Sequence, residues 1–205
     1  FAMSNLAAFL NYSATYAIGF LLSLYLQLVR GLDASTAGVL LLLQPLMMAI
    51  LSHIAGALSD KHEPRLVASF GMALTTAGIF FCSLFDAKTP LPLIAAACVI
   101  IGIGFGFFSP ANNNAIMGAV SKKLYGVASS MVSVMRLSGQ AVSMAVVTLL
   151  LAQATLPAAA DWTEELSAAI RLIFSCLTVS CAAGVVASLM RGRRKTAEED
   201  ANGYD

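Results

Sequence analysis

Charged side chains are absent from five long stretches of this chain, 1–29, 34–59, 66–85, 89–121 and 172–190, and a sixth, 124–160, holds only Arg136. Each stretch is long enough to cross a bilayer as a helix, which takes about 20 mostly apolar residues. Only 11% of the 205 residues are charged, against about 25% in ordinary soluble domains. Six spans consume most of the chain and leave no room for a soluble domain. Barrel strands are excluded because the runs are too long and lack alternation of apolar and polar residues. The expected architecture is an all-α membrane protein with helices A to F over about 3–29, 35–58, 66–86, 91–117, 125–151 and 168–190. Residues 1–190 then form one transmembrane unit, followed by a basic, then acidic, tail at 191–205.

Lysine and arginine placement predicts orientation. Lys61 and Arg65, Lys122 and Lys123, and the cluster Arg191, Arg193, Arg194 and Lys195 fall on one side, opposite Arg30, Lys88 and Arg171. Both chain ends are thereby expected in the cytoplasm, with the E–F connection around Asp161, Trp162, Glu164 and Glu165 outside. A net charge of +1 argues against a nucleic-acid partner. Cys82, Cys98, Cys176 and Cys181 lie inside expected spans without metal-ligand spacing, so no metal site or disulfide framework is expected. There is no basic n-region ahead of the first apolar run and Phe1 is no initiator, so the chain reads as a fragment of a longer protein and not as one led by a signal peptide.

Within the spans, small residues recur at four-residue spacing, at Gly102 and Gly106 and at Ser180, Gly184 and Ser188. This spacing lets helix backbones approach closely where lipid supplies no hydrophobic drive. Gly102, Gly104 and Gly106 are not a dinucleotide loop, since no strand precedes them. The B–C connection offers Gly56, Leu58, Asp60, Lys61 and Arg65, with Pro64 opening helix C. Two readings stand there: a solvated charged turn, or a cytoplasmic latch in which Asp60 pairs with a cation or a helix N-terminus.

That Gly-x-Leu-x-Asp-Lys spacing with a later Arg resembles the loop signature of the major facilitator superfamily, Glu63 standing where a second Gly is usual. Gly102, Gly104, Gly106 and Pro110, followed by Gly126, Ala128, Ser129, Arg136 and Gly139, are similar to the C-terminal half of the fourteen-helix drug:proton antiporters. The resemblance covers essentially the whole chain. It implies half of a major facilitator fold, built from three-plus-three inverted repeats, with an N-terminal transporter half as the missing partner. It also implies a bacterial cytoplasmic membrane, a small amphipathic substrate, and a proton gradient as driving force without a cofactor.

Arg136 lies about 11 residues, or roughly 16 Å, from the start of helix E. A cation at such depth is expensive and seldom without a role. No acidic residue lies within a span, so its expected partners are oxygens of a helix D broken at Pro110, from Gly106 through Asn112 and Asn113. Proline leaves the carbonyl four residues before it without its helical bond. The same Ser109–Asn114 stretch also reads as a polar helix end with satisfied amides. Candidate substrate-cavity residues are Asn11, Tyr12 and Tyr16 on helix A, Gln44 beside Pro45 on helix B, and Gln140 on helix E. An amide-and-aromatic stripe suits amphipathic or cationic aromatic ligands; interhelical hydrogen bonding explains it equally well.

Taken with the resemblance, these features lead to the expectation of a proton-coupled half-transporter that exports drugs or other amphipathic compounds. Its alternatives are a narrow-substrate transporter of a sugar or metabolite and a free-standing half that dimerises. An intramembrane enzyme would need a catalytic constellation at bilayer depth, and the spans hold none.

Overall fold

Helix ends follow local chemistry. A computed structural model describes residues 1–154 and 162–190. In chain order the helices are α1 (Ala2–Thr15), α2 (Ile18–Leu24), a π-helical turn (Tyr25–Val29), α3 (Ala34–Lys61), α4 (Pro64–Ser83), α5 (Leu91–Met117), a short 3-10 turn (Lys122–Leu124), α6 (Tyr125–Ala154) and α7 (Trp162–Leu189). Asp33 caps α3 by accepting from the Thr36 N–H at 3.0 Å and the Thr36 hydroxyl at 2.6 Å, which holds its carboxyl below the usual carboxylate range. Pro64 and Pro90 stand at the starts of α4 and α5, where a missing N–H does no harm.

Six segments among the described residues are long and apolar enough to cross a membrane. Several boundaries differ from the sequence expectation by a few residues, most at the α3–α4 junction and at the start of α7. Helix α3 continues through Asp60 and Lys61, so the motif residues Gly56, Leu58, Asp60 and Lys61 lie on helix and only His62 and Glu63 join it to α4. A lysine in a last turn complements the helix dipole, so charge does not end the helix there. Glu63 has φ −57°, and among the described residues only Gly31 has a positive φ. The connection therefore needs no second glycine. Helix α7 already begins at Trp162, with Glu164 and Glu165 in its first turn, where the dipole favours them. Asp161 and 191–205 lie outside the described residues.

The breaks also fall elsewhere than expected. Helices α3 and α5 run without interruption through Pro45 and Pro110, so helix D is not broken. Packing against neighbours can compensate a lost backbone bond inside a membrane. The first span is the discontinuous one. Its helix lapses at Tyr16 and Ala17, and the Ala17 N–H donates to Ser143 Oγ on α6 at 3.2 Å. A side chain inserted into the hydrogen-bond ladder is a recognised cause of such a break.

Packing shows how the segments interlock. Helix α1 lies against α6 and α7, α5 lies against α3 and α4, and α4 meets α7. Each leading helix thus docks on the second and third helices of the other triplet. The triplets start in opposite directions, as in inverted-repeat transporter halves. Glycines make these seams possible. A Cβ on Gly102 or Gly106 would run into α3, at Gln44 Cα (3.0 Å) or Met48 O (3.2 Å). One on Gly104 would run into α4, at the Thr75 N (2.5 Å) and Gly71 O (2.6 Å). A Cβ on Gly139 of α6 would run into α1, at Phe9 O (2.7 Å) and Ser13 N (3.2 Å). The core between the helices is aliphatic and aromatic, with Tyr25, Phe108 and Phe174 its largest buried side chains.

Candidate functional site

The candidate residues separate into a mid-span group on α1, α3 and α6 and a cluster at the end of the bundle that carries Lys61. In the mid-span group, Tyr12 packs edge-on against Phe105 of α5, ring centroids 5.6 Å apart. Its Cβ would lie 3.1 Å from a Cβ on Gly139. Tyr16, at the helix break, is 51% exposed, and Gln44 and Gln140 are half-buried. These four offer aromatic and amide surface in the middle third of the bundle.

Asn11, the fifth candidate, is not accessible as these four are. It is 0% exposed, and neither its Oδ1 nor its Nδ2 has a hydrogen-bond partner among the described residues. The face of α1 bearing Asn5, Ala8, Asn11 and Thr15 turns into the bundle. Thr15 is satisfied there by donating to the Asn11 carbonyl at 2.8 Å.

Arg136 corrects a second expectation. It is exposed, and it makes no hydrogen bond or ion pair among the described residues. Its expected partners are turned elsewhere. Gly106 packs on α3 at Met48 and Leu51, Asn112 is buried with its Oδ1 unpartnered, and Asn113 is exposed. Helix α6 touches α5 only slightly and binds α1 through the stripe Gly139, Ser143 and Val147. The α5–α6 tie expected from the sequence therefore does not form.

At the Lys61 end, the exposed Asp60 is held by a neutral group. Asn114 Nδ2 on α5 donates to Asp60 Oδ1 at 3.0 Å and to Ser59 Oγ at 2.6 Å. Ser59 Oγ in turn donates to the Gly56 carbonyl at 3.0 Å. Lys61 is exposed beside them, and Arg65 Nη2 lies 3.7 Å from Glu63 Oε2. Gly56 has open space where a Cβ would sit, so within this unit the motif glycine serves no close contact. Leu58 is exposed.

Neither the Asn114 bonds nor a tie at the opposite end was legible in the residue pattern. There, Tyr25 Oη donates to the Asp86 carbonyl and Arg30 Nη1 to the Ala87 carbonyl, strapping the π-helical turn to the α4–α5 connection. The Lys88 N–H and the Thr89 hydroxyl hold the Asp86 carboxyl below the usual carboxylate range. The polar Ser109–Asn114 run marked α5 as unusual, and Asn114 matches Asp60 in lying near a helix end, but spacing alone names no partner. No cluster of metal-ligating side chains occurs among the described residues.

Comparison with known proteins gives this geometry a context. The family model described as Major Facilitator Superfamily matches residues 5–204. The chain is similar to the riboflavin transporter RibZ of Clostridioides difficile, 32% identical over 136 residues, which cover 66% of this chain and 30% of that protein. It is similar to a methylenomycin A resistance protein of Streptomyces coelicolor, 27% identical over 145 residues, or 71% of this chain and 30% of that one. It is also similar to the multidrug efflux pump LfrA of Mycolicibacterium smegmatis, 29% identical over 134 residues, or 63% and 26%. Each match thus spans less than a third of the relative's own length.

Proposed function

We propose, from the premise that this chain belongs to the Major Facilitator Superfamily, that it is the C-terminal half of a secondary transporter that exports amphipathic compounds at the expense of a proton gradient. Membership makes it a multi-pass membrane transport protein and not an enzyme. The observation that carries the reading further is the uneven covering of its helices. Only 6% of the apolar window of α3 and 17% of that of α6 is buried, against 39–50% for the other spans. A second six-helix half seated across α3 and α6 would cover those two helices. It would also turn Tyr12, Tyr16, Gln44 and Gln140 toward a shared cavity.

In this reading Arg136 meets its counter-charge in the other half, because a cation at that depth needs one. The titrating carboxylate of proton coupling lies there too, since the acidic residues on these spans, Asp60, Glu164 and Glu165, all sit in end turns. Lys61, Lys122 and Lys123 face the cytoplasm of a bacterial cell, with the 191–205 tail on the same side. Asp60, Lys61 and Arg65 act as a cytoplasmic gate. Aromatic and amide wall residues with few charges suit flat or amphipathic substrates, in keeping with two relatives named for resistance or efflux.

The test is export of ethidium by inside-out vesicles containing the full-length protein that carries this chain, energised by an imposed pH gradient. Gradient-dependent dye movement that drops about tenfold in Tyr16→Ala, a loss of about 1.4 kcal/mol by the usual conversion, supports the reading. A second reading, transport of a flavin-like metabolite, is favoured by the similarity to RibZ. Riboflavin movement without ethidium movement in the same vesicles would replace the first reading with the second.

A further inference from the structure

A carboxylate on the last turn of a helix in water samples many rotamers, and a latch works only if its charge is presented in one direction. Asp60 is exposed, yet it is not free to wander. The Asn114 amide nitrogen carries two hydrogens, and both are used, one on Asp60 Oδ1 (3.0 Å) and one on Ser59 Oγ (2.6 Å). The Ser59 hydroxyl sends its own hydrogen back to the Gly56 carbonyl (3.0 Å). Every donor in this chain therefore points one way, and Ser59, 1% exposed, anchors it. A carboxylate has about four lone-pair sites, so Asp60 Oδ2 stays available. Asn114 is neutral and leaves the charge of Asp60 uncompensated.

The location of Asn114 adds a mechanical consequence. It follows Pro110 by one helical turn on α5, and the proline removes a backbone bond just before it. With the Gly106 carbonyl left without that bond, the turns of α5 beyond Pro110 are tied to the rest of the helix by one bond fewer, and the two Asn114 bonds fasten them to the end of α3.

We propose that Asn114 is the positioning residue of the cytoplasmic gate: its amide fixes the Asp60 carboxylate with Oδ2 offered to a cation or helix N-terminus of the other transporter half, and it yokes the ends of α5 and α3. This rests on the reading of Asp60 as a gate residue. The charge of Asp60 holds the gate shut, and Asn114 aims that charge.

The experiment measures how fast a membrane-impermeant maleimide labels Tyr16→Cys from the cytoplasmic side, in inside-out vesicles of the full-length protein with the exposed Cys176 replaced by Ser. This readout needs no known substrate. Asp60→Asn is expected to speed labelling about fivefold and Asn114→Ala to do the same, while the double variant labels no faster than either, because the two act as one unit. If Asn114→Ala leaves the rate unchanged while Asp60→Asn raises it, or if the two effects multiply to about 25-fold, the positioning role is overturned and the gate survives. If Asp60→Asn itself changes nothing, the gate reading falls and this proposal with it. Should Asn114→Ala fail to fold, Asn114→Leu keeps the shape, removes both hydrogens, and is scored in the same way.

Discussion

Helices α5 and α1 hold equivalent places, each docked on the second and third helices of the other triplet, yet they are built in opposite ways. Helix α5 contains Pro110 and three alternating glycines, and it runs unbroken. Its glycines divide between neighbours, Gly102 and Gly106 toward α3 and Gly104 toward α4, so it is clasped on two flanks by backbone. The α1 segment has no proline, and neither Tyr16 nor Ala17 is a glycine, yet it breaks there and ends in a π-helical turn. It buries Asn5, Asn11 and Ser13 with side-chain atoms that lack partners among the described residues. A helix in this bundle holds or breaks according to what its neighbours present to its backbone, and its own proline content is a poor guide. One leading helix is thereby the stiff element of the half and the other the compliant one.

The sharpest way to break this contrast is to spoil the stiff seam. Gly104→Ala would place a Cβ 2.5 Å from the Thr75 backbone nitrogen and 2.6 Å from the Gly71 carbonyl, where neither atom can step aside. A loss of about 2–3 kcal/mol is expected, read as a fall in thermal unfolding midpoint in detergent. A midpoint within a degree of the parent would mean that α4 and α5 are not clasped. Next comes Asn11→Leu on the compliant side, with the opposite sign. Removing an unpaired buried amide while keeping its bulk is expected to raise stability by about 1 kcal/mol. Destabilisation would show that Asn11 has a partner after all.

Ser143→Ala tests the cause of the break. With its acceptor gone, the Ala17 N–H is expected to return to the Ser13 carbonyl, changing stability by less than about 1 kcal/mol. Isotope-edited infrared spectra of a labelled Ser13 carbonyl report that new bond, and an unchanged band would assign the break to something other than Ser143. The smallest effect is expected from Gly184→Ala. Its Cβ would meet the terminal methyl of the buried Met72 and lie 3.2 Å from Leu10 Cβ, and a methionine end has rotatable bonds with which to yield. A stability change under about 0.5 kcal/mol is expected by analogy with volume-tolerant sites. A loss as large as that of Gly104→Ala would show that methylene crowding matters here as much as backbone contact.

Much of the fold was legible because membrane insertion writes its demands locally. Charge-free runs of spanning length mark six helices, and the described residues contain six such segments. The Gly102 and Gly106 spacing announced a close helix contact, and α3 supplies it. The candidate site was legible only in part. Tyr12, Tyr16, Gln44 and Gln140 are accessible or half-buried. Asn11 shares the first span with Tyr12 and Tyr16 but faces the core, because the tight approach of Gly139 to Phe9 and Ser13 sets the rotation of α1. Arg136 was assigned to α5 because depth matched, but depth says nothing of azimuth, and α6 gives its packed side to α1.

By itself, the sequence determined which segments are helices able to enter a bilayer, because hydropathy and the exclusion of charge act residue by residue along each span. It also determined which of those helices can come close, through their glycines. Only the tertiary structure decided that the first helix and not the proline-bearing one is broken, that Asp60 answers to Asn114, and that Arg136 stays exposed. Those outcomes depend on which side of each helix meets a neighbour far away in the chain, and hydrogen bonds such as Ala17 to Ser143 exist only once that meeting has occurred.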